Sequence, residues 1–256
     1  MTPPLPSGFL DIPLAHRGLH DIALNRPENS RAGIGAAIAR GYGIEIDVQL
    51  SADGQALVFH DYDLARLTGE TGPVRGRTVA QAQQIQLQHG EGETIPTLSQ
   101  VLELVNGRVP VLIEIKDQDG AMGPDIGPLE TATVRAIEGY GGPVAMMSFN
   151  PHSTAALARL APHVPCGLVT CGYDPQDWPL SAQDCQRLRE IPDFDTISAS
   201  FISHDKNDLD RARVRELRDG GVPVLCWTIR SRKEEAVARI HADNVTFEGY
   251  PADIPG

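Results

Sequence analysis

The sequence predicts one (β/α)8 barrel with a short insertion after its second strand. Segments with the two-residue alternation of a strand are interleaved with segments of helical period along the whole chain, which implies a parallel sheet covered by helices. The length, 256 residues, suits a single barrel, whose usual size is about 250. The third observation is the stretch 43–60, GIEIDVQLSADGQALVFH. Ile44, Ile46, Val48 and Leu50 share one face of a strand, and Glu45, Asp47 and Gln49 share the other. A surface strand of an antiparallel sheet would show the same alternation with its charges in water. In a closed barrel the apolar face packs on helices and the charged face points inward, where unpaired carboxylates are costly. Two of them converging indoors need a cation.

The remaining elements follow in order. Residues 12–15 form a short apolar strand ending in His16-Arg17-Gly18, and a polar loop carries Pro27-Glu28-Asn29-Ser30. Ser30 is a good N-cap for the helix implied by Ile34, Ala37 and Ile38, and Gly41 sits where its C-terminal cap belongs. After the central strand, the turn Ala52-Asp53-Gly54 and a short apolar run deliver His60-Asp61. Residues 61–95 are polar and Gly-rich, with one short helix from about Thr78. They are too few for a separate domain and read as an elaboration over the barrel mouth. Thr97 caps a helix over 98–105. Strands are predicted at 110–116, 143–149, 166–170, 196–200, 222–229 and 244–247, and helices at 128–140, 151–160, 181–190, 207–220 and 231–241. With the first two strands the barrel set numbers eight. No internal repeat or low-complexity segment is present.

The net charge of −12 argues against a nucleic-acid or anionic-membrane partner, since those binders carry basic faces. An anionic substrate stays open, because a bound cation reverses the local field. Cys166, Cys171, Cys185 and Cys226 lack CxxC spacing and clustered histidines, so buried free thiols in a reducing compartment are expected. The N-terminal stretch lacks the basic and apolar regions of a signal peptide, and no apolar run approaches the roughly 20 residues of a membrane span. A cytoplasmic location is the expectation.

Active sites of such barrels lie at the carboxyl ends of the strands. His16 and Arg17 end the first strand, Glu45 and Asp47 lie late on the second, Glu114 and Lys116 end the third, and Trp227 lies late on the seventh. Glu45, Asp47 and Glu114, with no sulfur ligand nearby, suit a hard divalent cation, Mg2+ or Ca2+, better than zinc. His20, His89, His152, His163, His204 and His241 read as structural hydrogen-bonders. His16 and His60 at adjacent strand ends are different: near neutral pH one imidazole can accept a proton while the other donates. With a cation opposite the phosphoryl oxygens, that is equipment for breaking a phosphodiester. Arg17 reads as a phosphate clamp and, compatibly, as a partner of Glu28 or Asp61, while Lys116 either meets phosphate or offsets Glu114. Glu28 orients the site or follows a turn. Phe149 and Trp227 wall the substrate alcohol or fill the core.

Together HRG at 16–18, PENS at 27–30, EIDVQLSADGQALVFHD at 45–61, IPTL at 95–98, EIK at 114–116, SFNP at 148–151 and CWTI at 226–229 resemble the glycerophosphodiester phosphodiesterases. The resemblance implies a TIM barrel that hydrolyses small glycerophosphodiesters to an alcohol and glycerol 3-phosphate with one divalent cation, Mg2+ or Ca2+ with Mn2+ a further option. By position it implies Glu45, Asp47 and Glu114 as metal ligands, His16 and His60 as the acid/base pair, and Arg17 and Lys116 on the phosphate. It also implies that a substrate hydroxyl can attack phosphorus first, giving a cyclic intermediate. Two departures stand out: the last strand reads NVTFEGYP, with Glu248-Gly249 where many relatives have an Asp, and CWTIR places Arg230 after the seventh strand. A lysophospholipase D-like or phospholipase C-like enzyme on the same barrel is the alternative, though a lipid substrate would favour an apolar rim that the 61–95 segment does not show. A non-catalytic phosphate-binding barrel would tolerate loss of a histidine or carboxylate, and all are present.

Overall fold

The structure, a computed structural model, describes residues 2–254. The chain opens with a short helix α1 (Gly8–Asp11) and strand β1 (Leu14–Ala15), then helix α2 (Arg31–Arg40), strand β2 (Gly43–Leu50) and a short return strand β3 (Ala56–Val58). Helices α3 (Val79–Ala82) and α4 (Leu98–Val105) precede β4 (Val111–Ile115), α5 (Pro128–Ile137), β5 (Val144–Ser148), α6 (Pro151–Leu160) and β6 (Cys166–Thr170). Then come α7 (Ala182–Arg189), β7 (Phe201–Asp205), α8 (Ala212–Asp219), β8 (Val224–Ile229), α9 (Arg232–Ala238) and β9 (Asn244–Phe247). Apart from β3, which pairs antiparallel with β2, the strands are parallel, and pairing of β1 with both β2 and β9 closes the eight-stranded barrel. This is the TIM-barrel architecture that the sequence predicts.

Side-chain alternation builds two cores. Ile44, Ile46, Val48, Val111, Ile113, Ile115, Ile202 and Val224 face the helices. Leu14, Leu112, Ala145, Met147, Val169, Phe201 and Leu225 pack together inside the barrel, with Leu5 and Phe9 from the N-terminal segment joining them. Gly167 is what lets Phe201 lie there, since a Cβ at that position would sit 2.4 Å from the Phe201 ring. The capping residues act locally as the sequence implies. The Ser30 hydroxyl accepts from Gly33 N, Gly41 ends α2 at φ +74°, and Thr78 and Thr97 form capping boxes with Gln81 and Gln100.

The structure differs from the predicted elements in three places. The strand predicted at 196–200 is Phe201–Asp205, because Ser198 sits at φ +58°, a left-handed conformation that interrupts an extended run. The helix predicted over 207–220 is a 3-10 turn, Lys206–Asp208, followed by α8, with Arg211 extended between them. Residues 61–95, polar in composition, contribute Leu64, Val74, Ala82, Ile85, Leu87 and Ile95 to a separate apolar cluster with Leu57 and Phe59. Their spacing follows neither a helical nor a strand period, so no periodicity reveals it. All four cysteines are free and buried, and burial pushes the thiols of Cys166 and Cys226 up to about 12 and that of Cys171 to about 11. No helix among the described residues is long and apolar enough to cross a membrane.

Candidate active site

The inward row of β2 carries the carboxylates. Glu45 and Asp47 are buried to within 2% and 1% of full enclosure, and the parallel register sets Asp47 beside Glu114 on β4. Carboxylate oxygens of Glu45, Asp47 and Glu114 all lie within 4.8 Å of one another, a grouping that could hold a metal ion. Lys116 bridges two of them, its Nζ 2.8 Å from Asp47 Oδ1 and 2.6 Å from Glu114 Oε1. Arg17 Nε stands 3.4 Å from Asp47 Oδ2, and the Arg17 backbone N–H donates to Glu45 Oε2 at 3.0 Å. That last bond depends on a sharp turn at the end of β1, where Arg17 (φ +53°) and Gly18 (φ +78°) are both left-handed. A side chain on Gly18 would also meet the backbone of Gly33 and Ile34 at 3.0 Å, so α2 can approach only glycine there.

Environment drives the two β2 carboxyls apart. Burial, with Asp47 and Glu114 close by, pushes Glu45 well above the usual carboxylate range. Burial acts on Asp47 in the same direction, but Lys116, His60 and Arg17 outweigh it and hold Asp47 far below that range. Burial likewise opposes charge on Lys116, yet Asp47 and Glu114 keep the ammonium firmly protonated. Three buried carboxylates thus face two protein cations.

The two histidines follow different strands that pair with β2. His60 follows β3, and its Nδ1 is 2.6 Å from Asp61 Oδ1. Arg66 in turn donates to Asp61 and to both oxygens of Glu28 at 2.6–2.8 Å, and Glu28 accepts from Arg17 Nη1 at 2.7 Å. Glu28 consequently stays ionised below its usual range despite burial, because Arg66 and Arg17 both bond it. His16 follows β1, with Nδ1 2.6 Å from Glu248 Oε2 at the end of β9. Burial lowers its proton affinity, and the Glu248 bond only partly offsets this. Phe149 and Trp227 meet edge to face at 5.6 Å, Trp178 packs on Phe149 at 5.2 Å, and the Trp227 indole N–H donates to Ser203 O at 3.0 Å. A cavity of about 280 Å3 opens between this aromatic wall and the charged cluster, lined by His60, Tyr62, Glu114, Lys116, Phe149 and Trp178.

The structure therefore brings Arg17, Glu28, Glu45, Asp47, Glu114 and Lys116 into one contiguous network, with His60 joined to it through Asp61 and Arg66. His16 is turned instead toward Glu248. Sequence reasoning did not assign Asn29, a buried left-handed residue whose amide donates to Asp47 Oδ2 at 2.9 Å. Its neighbour Glu28 and the tolerance of Asn for positive φ were the available signals. Asp61 was legible as a carboxylate directly after a candidate acid/base histidine. Arg66 and Trp178 carry no local signal, because only the folded chain brings them to the site.

A family model for the glycerophosphoryl diester phosphodiesterases matches residues 16–247. A glycerophosphodiester phosphodiesterase from Caldanaerobacter subterraneus is 36% identical over 252 residues, covering 94% of this chain and 93% of that protein. Among solved structures, an Oleispira antarctica phosphodiesterase in complex with its product sn-glycerol-3-phosphate superposes with a TM-score of 0.75 at 24% identity, over 93% of this chain and 92% of the other. A Parabacteroides distasonis glycerophosphodiester phosphodiesterase gives 0.73 at 21% identity with the same coverage, 93% and 92%. At those identities the structural likeness speaks to fold.

Proposed function

We propose a function from one premise: the chain belongs to the glycerophosphoryl diester phosphodiesterase family and is a phosphoric diester hydrolase. The reaction is addition of water across one P–O bond of a small glycerophosphodiester, releasing an alcohol and glycerol 3-phosphate. The observation that carries this reading is the buried triad Glu45, Asp47 and Glu114, with His16 and His60 following β1 and β3, strands that pair with β2.

The triad fits a divalent cation. Its donors are all carboxylate oxygens, the choice of a hard ion such as Mg2+ or Ca2+, and an ion there would ionise Glu45, whose carboxyl is held above the usual range by burial while Lys116 and Arg17 serve Asp47 and Glu114. When bound there, the ion supplies positive charge opposite the phosphoryl oxygens. Lys116 uses two of its three N–H donors on Asp47 and Glu114, and the third serves a phosphate oxygen. Arg17, anchored through Nη1 on Glu28, offers Nη2 to the same group. Glu28 orients Arg17. His16 and His60 each have Nδ1 engaged by a carboxylate, which leaves Nε2 to work. One takes the proton of the attacking oxygen and the other protonates the departing alcohol. Phe149 and Trp227, with Trp178, form the wall for that alcohol. Four free buried thiols fit a reducing compartment, so a cytoplasmic setting belongs to the same reading.

The test is release of glycerol 3-phosphate from glycerophosphocholine by metal-stripped protein, with Mg2+, Ca2+ or Mn2+ added back singly. Release is expected to require metal, and His16→Ala or His60→Ala is expected to lower kcat by about 10²–10⁴, the usual scale of general acid–base loss. Metal-independent release, or near-normal turnover in both variants, would overturn the mechanism. A cyclic phosphate as the final product would move the assignment to a phospholipase C-like lyase.

A further inference from the structure

Arg230 and Glu248, which follow the last two barrel strands, are bonded to each other. Arg230 follows β8, and its Nε donates to Glu248 Oε1 at 2.7 Å. Glu248 follows β9, and its other oxygen is 2.6 Å from His16 Nδ1 and 3.5 Å from His20 Nε2. One carboxylate thus spans a half-exposed arginine on the rim and a part-buried imidazole in the site. We propose that Arg230 and Glu248 form one positioning unit that fixes the tautomer of His16, with Arg230 acting through Glu248 and not on the substrate.

An ionised carboxylate can only accept, so the imidazole nitrogen facing it must carry the proton. Nδ1–H on His16 then leaves the Nε2 lone pair free, the state a proton-accepting imidazole needs. Glu248 has to stay charged and stationary for this to hold. Hydrogen bonds from His16 and His20, with Arg230 on the opposite oxygen, keep its carboxyl far below the usual range. Arg230 is in turn placed from behind, because its backbone N–H donates to Glu234 Oε2 at 2.7 Å and Lys206 Nζ holds that same oxygen at 2.6 Å. A half-exposed ion pair contributes little stability. Its effect here is orientation. The same construction recurs on the other side of the site, where His60 Nδ1 faces Asp61 at 2.6 Å and Arg66 Nε bonds the second Asp61 oxygen at 2.6 Å. Elements remote from one another in the chain thus build the same histidine–carboxylate–arginine series twice.

The inference rests on the phosphodiesterase reading for its kinetic arm only. Glu248→Ala, Arg230→Gln and the double variant would be compared by kcat, KM and thermal midpoint, with 15N spectra of His16 recorded on the metal-free proteins. Glu248→Ala is expected to lower kcat about 10–100-fold, the scale for losing a group that orients a functional imidazole. Glu248→Gln, which keeps an acceptor, should recover part of that. Arg230→Gln should lower kcat about 2–10-fold, with KM and midpoint unchanged, and the double variant should be no worse than Glu248→Ala alone, because coupled residues do not add. The His16 spectrum should move from the Nδ1–H pattern of the parent toward Nε2–H in Glu248→Ala. Losses that multiply in the double variant, a raised KM in Arg230→Gln, or an unchanged tautomer without Glu248 would each refute the unit. If Glu248→Ala does not fold, the rim variant Arg230→Gln carries the kinetic test and Glu248→Met, of similar length but without an oxygen acceptor, the spectral one. If the parent hydrolyses no glycerophosphodiester, the function fails while the spectra still decide the tautomer.

Discussion

Replacing Lys116 with methionine tests the charge balance on which the site depends. The Nζ atom sits 2.8 Å from Asp47 and 2.6 Å from Glu114, and each contact is worth about 6 kcal/mol of direct attraction at an effective dielectric constant of 20. Desolvation offsets much of that. Removing one partner of a buried ion pair has a net cost of about 3–5 kcal/mol, because the surviving charge is left uncompensated. For a protein of this size the metal-free variant should melt about 6–20 °C lower. Adding a divalent cation should reverse part of the loss, since a ligand at 100–1,000 times its Kd stabilises by about 2.7–4.1 kcal/mol. The variant should gain more from the ion than the parent does, because Lys116 competes with a cation for the same oxygens. The assay is thermal or urea unfolding of chelator-treated protein, repeated with Mg2+ or Ca2+. Equal stability of the two metal-free proteins, or equal gains on adding the ion, would refute the reasoning.

Two further outcomes follow from groups away from the acidic triad. His204 is fully enclosed against Thr170, and burial lowers its proton affinity more than nearby Asp208 raises it. The unfolded chain therefore binds the extra proton first. His204 contributes its full stability above about pH 6.5 and loses it as pH falls below that, by up to about 1.4 kcal/mol per pH unit. Urea unfolding at pH 7, 6 and 5 should show a shallower decline in His204→Gln than in the parent, and identical slopes would count against the burial argument. Gly167→Ala would set a methyl 2.4 Å from the Phe201 ring and should destabilise by about 1–3 kcal/mol, the range for overpacking. Pairing it with Phe201→Leu should recover most of the loss, and strict additivity in the double variant would point to backbone strain instead.

What could be read in advance was local or periodic. The face shared by Glu45 and Asp47 followed from strand parity, and Glu114 joined it by the same parity on the next barrel strand. The caps at Ser30 and Thr97 were legible because a hydroxyl and the N–H three residues on lie within one turn. The sixth barrel strand was misjudged because Ile197 and Ala199 mimic strand alternation, while the left-handed Ser198 between them leaves no mark in the sequence. Asp61 was next to His60 and could be seen. Glu248 was noticed only as an oddity, since nothing at position 248 says that His16 will lie against it. Arg66 was invisible for the same reason: its partners Glu28 and Asp61 arrive from separate loops.

Closure of the barrel by its first and last strands has a consequence for biosynthesis. His16 leaves the ribosome well before its partner Glu248, which comes 232 positions later. Strand β1 can pair with β9 only once β9 has been translated. The carboxylates of β2 and β4 are free to meet much earlier, so a nascent chain can gather the acidic cluster while its His16 still lacks an orienting partner. Products that stop short of β9 are consequently expected to lack the His16–Glu248 contact, whose formation is thereby tied to synthesis of that strand.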